Sequence, residues 1–166
     1  MFALKSVSHD SIAGALAKAE RYRLLNEPAA AESICLDILE IEPDNQEALA
    51  CFILAQTDQI PSDKRAWQQG LAAAGRLAGE YERAYYSGIV WERRAKAFFH
   101  ESARGSNHSV YEWISRALSY FETAERLRPA GNDDAILRWN TCVRFLKRHP
   151  ELTPQMDEVP EAILSE

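Results

Sequence analysis

Apolar positions along this chain recur every three or four residues, and short polar breaks separate each periodic run from the next. This is the period of amphipathic helices; the two-residue alternation of strands is almost absent. The first run, from about Asp10 to Leu25, is carried by Ile12, Leu16, Ala19 and Tyr22. Asn26-Glu27-Pro28 ends it, and Pro28 suits the first turn of a second helix, where its missing N–H has no helical partner. Ala31, Ile34, Cys35, Ile38 and Leu39 form the inner face of that helix, which stops before Pro43. Asp44, with Glu47 three residues on, makes a capping-box-like start for a third helix bearing Leu49, Phe52, Ile53 and Ala55. Ile60-Pro61-Ser62 closes it and caps a fourth, with Ala66, Trp67, Leu71, Ala74 and Leu77 inward; Gly75 and Gly79 weaken its end. A fifth helix runs from Glu80 to about Ala103 through Tyr85, Ile89, Trp91, Ala95 and Phe98. Gly105 to His108 reads as a loop, and Ser109 with Glu112 opens a sixth helix that carries Val110, Trp113, Ala117, Phe121 and Ala124 and ends at Pro129. Asn132-Asp133 caps a seventh, with Ile136, Trp139, Val143 and Leu146, ending before Pro150. The pattern predicts an all-α antiparallel stack of seven helices joined by short breaks.

Composition narrows the class. The 166 residues, 46% hydrophobic and 27% charged, are those of an ordinary folded domain or one compact repeat array. Nineteen basic against 25 acidic side chains leave a net charge of −6, which argues against nucleic acid or an acidic membrane as partner. No apolar run approaches the roughly 18 residues of a membrane span. The segment Met1-Phe-Ala-Leu-Lys-Ser lacks the basic and apolar regions of an export signal. Cys35, Cys51 and Cys142 are odd in number and irregularly spaced, so they make neither a disulfide framework nor a metal knuckle. A soluble chain in the reducing cytoplasm is expected. The last 16 residues carry five acids, two Pro and no Lys or Arg, so residues 150–166 read as an acidic, flexible tail.

A repeat underlies the helices. Ala19, Tyr22, Ala31, Cys35, Ile38 and Pro43 are spaced by 3, 9, 4, 3 and 5 residues. Gly88, Trp91, Ala117, Phe121, Ala124 and Pro129 follow the same order at 3, 26, 4, 3 and 5, so only the second interval differs, by 17 residues. A degraded middle copy lies at Ile53, Gln56, Ala66, Gly70 and Ala73, and Trp139 with Cys142 is a final half copy. The first-helix markers Ala19 and Ile53 are 34 residues apart, and Ile53 and Gly88 are 35 apart. A small residue where two helices cross permits close approach, a large one four residues later fills the adjoining space, and Pro terminates the second helix.

With its 34-residue period this pattern resembles the tetratricopeptide repeat family over about residues 10–148. The resemblance implies a right-handed α-α superhelix of three helical hairpins and a closing helix. A lead at 1–9 would precede a repeat domain at 10–149, with repeats at about 12–45, 46–80 and 81–131 and a capping helix at 132–148. Cys35 and Gly70 stand where the family has a large aromatic, and Arg138-Trp139 where it has Leu-Gly. A generic helical bundle is the alternative. The 17-residue insertion makes its own prediction. A helix from Glu80 to Ala103 would be about 36 Å long, so the third hairpin should overhang its neighbours. Phe98, Phe99, Val110, Tyr111 and Trp113 on that overhang must then pack on one another or on a partner.

No catalytic constellation emerges. His100-Glu101 opens like a zinc-protease HExxH, but Arg104 replaces the second His, and His108 lies across the loop. There is no phosphate-binding GxxxxGK(S/T), no GxGxxG and no GxSxG. His9, His100, His108 and His149 have no Ser or Cys at recognisable spacing, and the cysteines sit on apolar helix faces as small hydrophobes. A non-enzymatic chain without metal or cofactor is expected.

What the family resemblance implies is binding. In such arrays the first helices of successive hairpins line a concave groove that holds a segment of a protein or peptide partner. By the repeat spacing, its positions here are Leu16, Glu20, Arg23 and Leu24, then Ala50, Leu54, Thr57 and Asp58. Tyr85, Ile89, Glu92, Arg93 and Lys96 follow from the third repeat, and Ile136, Asn140, Val143 and Arg144 from the last helix. Apolar anchors at Leu16, Leu54, Tyr85 and Ile89 would supply affinity, and Arg forks would fix a carboxylate or a backbone carbonyl. The Lys/Asn arrangement with which some chaperone-binding members hold a terminal carboxylate is not reproduced, since Glu20 and Ile89 stand where Asn is wanted. Two alternatives accompany the adaptor reading: a homodimer formed through the aromatic hairpin or a bare end of the stack, and a secretion-type chaperone for an apolar client.

Overall fold

A computed structural model describes residues 2–101 and 107–154. They form α1 (Ile12–Leu24), α2 (Pro28–Ile41), α3 (Gln46–Gln59), α4 (Ala66–Ala74), α5 (Glu80–Glu101), α6 (Asn107–Leu127) and α7 (Asp134–Arg148), after a 3-10 turn at His9–Ser11. No strand occurs among the described residues, so the chain is all-α there.

Local chemistry explains the joints. Between α1 and α2, Asn26 adopts φ 61°, a left-handed conformation that asparagine tolerates better than most residues. The Glu27 N–H then donates to the Tyr22 carbonyl at 2.8 Å and the Asn26 N–H to the Arg23 carbonyl at 3.0 Å. These two bonds close the helix end in a Schellman turn, and Pro28 opens α2 at once. The cap of α3 falls one residue later than the sequence pattern suggests: Asn45, not Asp44, accepts the Ala48 N–H, at 2.9 Å. The helix α4 is shorter than expected. It starts at Ala66 and ends at Ala74, with Leu77 buried beyond its end. The expected loop through His108 is also revised, because Asn107 and His108 already belong to α6. Ala103 and Gly105 lie outside the described residues.

Each helix packs on the next in sequence, and in addition α1 touches α3, α3 touches α5 and α5 touches α7. The odd-numbered helices therefore share one layer, flanked by the even-numbered ones. Ala19, Ala31, Cys35 and Ile38 are all fully buried, as are Ala117, Phe121, Ala124 and Cys142. Small residues dominate these crossings. Little backbone separates the helices there, and the apolar area removed from water contributes about 25 cal/mol per Å².

The two longest helices, α5 and α6, have 22 and 21 residues against 13 and 14 in α1 and α2. Their extension is covered by the chain itself. Phe98 meets Trp113 edge to face with ring centres 5.1 Å apart, and Phe99 meets Phe145 of α7 at 5.4 Å. Beyond α7, Leu152 is buried against the same cluster. Leu152 therefore anchors the first residues of the expected tail at 150–166. Residues 155–166, the rest of that tail, lie outside the described residues.

Candidate functional site

The layer of odd-numbered helices carries a cleft of about 780 Å³, bordered by Arg23 and Leu24 of α1, Thr57 and Asp58 of α3, Glu92, Arg93 and Lys96 of α5, and Arg138 and Thr141 of α7. Four helices contribute because the layer is continuous. Arg23 lies in the last turn of α1, where the helix dipole favours a cation. On α5, Glu92 and Lys96 are one turn apart, and on α7 Arg138 projects from the first half of the helix.

Two carboxylates organise the charges. Asp58 accepts from Arg23 at 2.9 Å through both Nε and Nη2, and its other oxygen lies 3.8 Å from Nη1 of Arg93. One side chain of α3 thereby ties α1 to α5. Glu92 is the deeper group, only 1% exposed. Its Oε1 accepts from Lys96 Nζ at 2.5 Å and its Oε2 from Arg138 Nη1 at 3.4 Å. Burial works against the charge on Arg138, but Glu92 and Tyr85 outweigh it and hold its pKa above the ordinary arginine value. A buried carboxylate survives only when paired, and here it joins α5 to α7. Four cations against two carboxylates leave this cleft basic on a chain whose net charge is −6. Such a surface can hold carboxylates, because each guanidinium keeps N–H donors that its internal partner does not use.

The groove positions read from the sequence separate into three groups. Arg23, Glu92 and Arg93 line the cleft, with Leu24, Thr57, Asp58 and Lys96 beside them. Leu16 and Ile89 do not: both are buried, Leu16 with Ile12, Ile38 and Ala48, and Ile89 among the residues between α5 and α6. They are core, because the face that points toward the groove on an ideal repeat is drawn inward by neighbouring apolar side chains. Leu54 and Tyr85 are half-buried against that same cluster, and Tyr85 packs on Phe121 at 6.2 Å between ring centres. Glu20 is exposed but does not border the cleft, and Asn140 and Arg144 do not border it either.

The correction on α7 has a geometric cause. Ala135, Trp139, Cys142, Phe145 and Leu146 form its inward stripe, and Asn140 and Arg144 lie on the opposite side of the helix at 100° per residue. Arg138 and Thr141 flank the stripe and face the cleft instead. Arg138 was therefore missed as a site residue. A helical wheel centred on Cys142 would have pointed to it. His100, Asn26 and Pro61 complete the rim, and repeat spacing marks none of them as a groove position.

All three cysteines are buried. A hydrogen bond with Cys51, together with burial, pushes the Cys35 thiol up. Among the described residues no helix is long and apolar enough to cross a membrane. No family model matches the chain, and neither a curated protein nor a solved structure matches it.

Proposed function

We propose that this chain is a non-enzymatic adaptor that holds an acidic segment of a protein partner in the cleft between α1, α3, α5 and α7. The observation that carries this reading is the convergence of Arg23, Arg93, Lys96 and Arg138 from three helices on one open surface of an otherwise acidic chain. Carboxylates of the partner would take the guanidinium edges left free by Asp58 and Glu92. The apolar rim at Leu24 and Pro61 would shield those bonds from water.

The same reading takes the helices as tetratricopeptide-type hairpins, wound in a right-handed superhelix and acting in the cytoplasm without a cofactor. Support comes from contacts between helices two apart in sequence and from burial of the small repeat markers Ala19, Ala31, Gly88 and Ala117. Phe98 and Phe99 pack within the chain, which counts against a homodimer through the aromatic hairpin; self-association through an end of the stack and the chaperone reading do not depend on that hairpin.

Fluorescence anisotropy of a labelled Glu-rich peptide provides the test. Arg93 is the residue to change, since its side chain is 42% exposed and its ion pair is long. Arg93→Glu should weaken binding about tenfold or more while leaving the helical circular dichroism intact. Equal affinity of wild type and variant would remove the cleft from the account.

A further inference from the structure

Three of the four tryptophans gather outside the cleft around a pair of arginines. The guanidinium carbon of Arg94 lies 3.5 Å from the ring centre of Trp67 on α4 and 3.8 Å from that of Trp113 on α6. Trp91 stands 5.1 Å from it and is itself approached by Arg116 at 4.9 Å. Each such contact is attractive because the ring face is negative, so the stack also bonds α4, α5 and α6 together. With the indoles of Trp67 and Trp113 at 3.5 and 3.8 Å from its guanidinium carbon, Arg94 has no ion pair among the described residues and keeps N–H donors of its planar fork for a partner. Burial and the neighbouring Arg116 both depress its pKa.

A cavity of about 230 Å³ opens beside this arginine, walled by Ile60, Trp67, Phe98 and Trp113, with Lys64 and Glu101 as its other charged residues. It is smaller than the roughly 300–1,000 Å³ of drug-sized sites, so it has room for a ligand of one ring or one branched alkyl group. A guanidinium edge takes a carboxylate through two parallel N–H···O bonds. Glu101 in the same wall opposes a doubly charged phosphate more than a singly charged carboxylate.

We propose that this cavity binds a small carboxylic acid with an apolar body. Its carboxylate sits on the Arg94 edge and its body lies against Phe98, Ile60 and the indoles. The site is separate from the acidic-segment reading of the cleft, which uses the residue before it, Arg93.

Benzoate is the probe, and the intrinsic fluorescence of Trp67 and Trp113 reports it, with calorimetry as a second measurement. Benzoate should bind saturably with a Kd on the order of 1 mM, as its size allows. Neutral benzamide should bind at least about tenfold more weakly. Arg94→Gln removes both the charge and the fork and should abolish the preference for benzoate, whereas Arg93→Glu should retain it. Equal binding of benzoate and benzamide to the wild-type chain would overturn the proposal without relying on any variant. Tighter binding of inorganic phosphate than of benzoate would overturn the assignment to carboxylates.

Discussion

The ring of Phe121 fills the space beside Gly88 that a side chain would need: a β-carbon on Gly88 would lie 2.5 Å from Cε1 and 2.7 Å from Cδ1 of that ring. Phe121 is fully buried on α6, and Gly88 lies in the middle of α5. The two longest helices thus cross with backbone against ring. The small-then-large spacing visible in the sequence corresponds here to a direct contact between elements 33 positions apart.

Gly88→Ala should destabilise the fold. The helix-propensity gain of about 1 kcal/mol is outweighed by overpacking against a ring that has nowhere to move, which costs about 1–3 kcal/mol. Gly14→Ala is the control: nothing lies within 4 Å of its β-position, so the same change should stabilise α1 by about 0.5–1 kcal/mol. Urea unfolding of both variants checks the opposite signs.

Removing the Glu92 charge should cost about 3 kcal/mol in Glu92→Gln, the lower end for breaking a buried pair. Its partners Lys96 and Arg138 are 26% and 29% exposed and can regain water, which keeps the loss from being larger. The α5–α7 contact should loosen first, which hydrogen exchange of the α7 amides would show. A loss below about 0.5 kcal/mol, the range of an exposed pair, would mean that Glu92 does not hold α7.

Asp58 bridges Arg23 and Arg93, and the Arg23 pair is about four-fifths buried on both sides. A double-mutant cycle of Arg23→Met and Asp58→Asn should give a coupling of about 1 kcal/mol, above that of most surface pairs. The coupling should shrink only slightly between low and high salt, because this pair is partly shielded from ions.

Burial, with Glu92 nearby, pushes the Cys142 thiol up from 9.0 to about 12. Below pH 9 both folded and unfolded chains hold this proton. Between about 9 and 12 the unfolded chain releases it and the native one does not, so stability falls as the pH rises through that window. Cys142→Ala should flatten this region of the pH–stability curve relative to wild type. The native thiol should also resist Ellman's reagent at pH 8 until the chain unfolds.

Helix number and most helix limits are legible in the sequence because they rest on local rules. Apolar period, Pro28, Pro43, Pro129 and the Asn26 break act within a few residues of where they stand. The small residues at crossings are legible too, since close helix approach demands them wherever the partner lies. Asp44 and Asn45 show the limit of that resolution: either could cap α3, and only backbone geometry selects Asn45.

The cleft was half legible. Arg23, Glu92 and Arg93 follow from repeat spacing, but Leu16 and Ile89 share that spacing and are core. What separates them is the rotation of each helix about its own axis, which depends on every neighbour it packs against. On α7 that rotation brings Arg138 to Glu92 across 46 residues of sequence and turns Asn140 away. The local pattern of polar and apolar residues determined that helices form and which side of each is oily. Tertiary packing alone decided which charges meet, because a charge pair between helices is set by offsets and rotations that no single stretch of chain encodes.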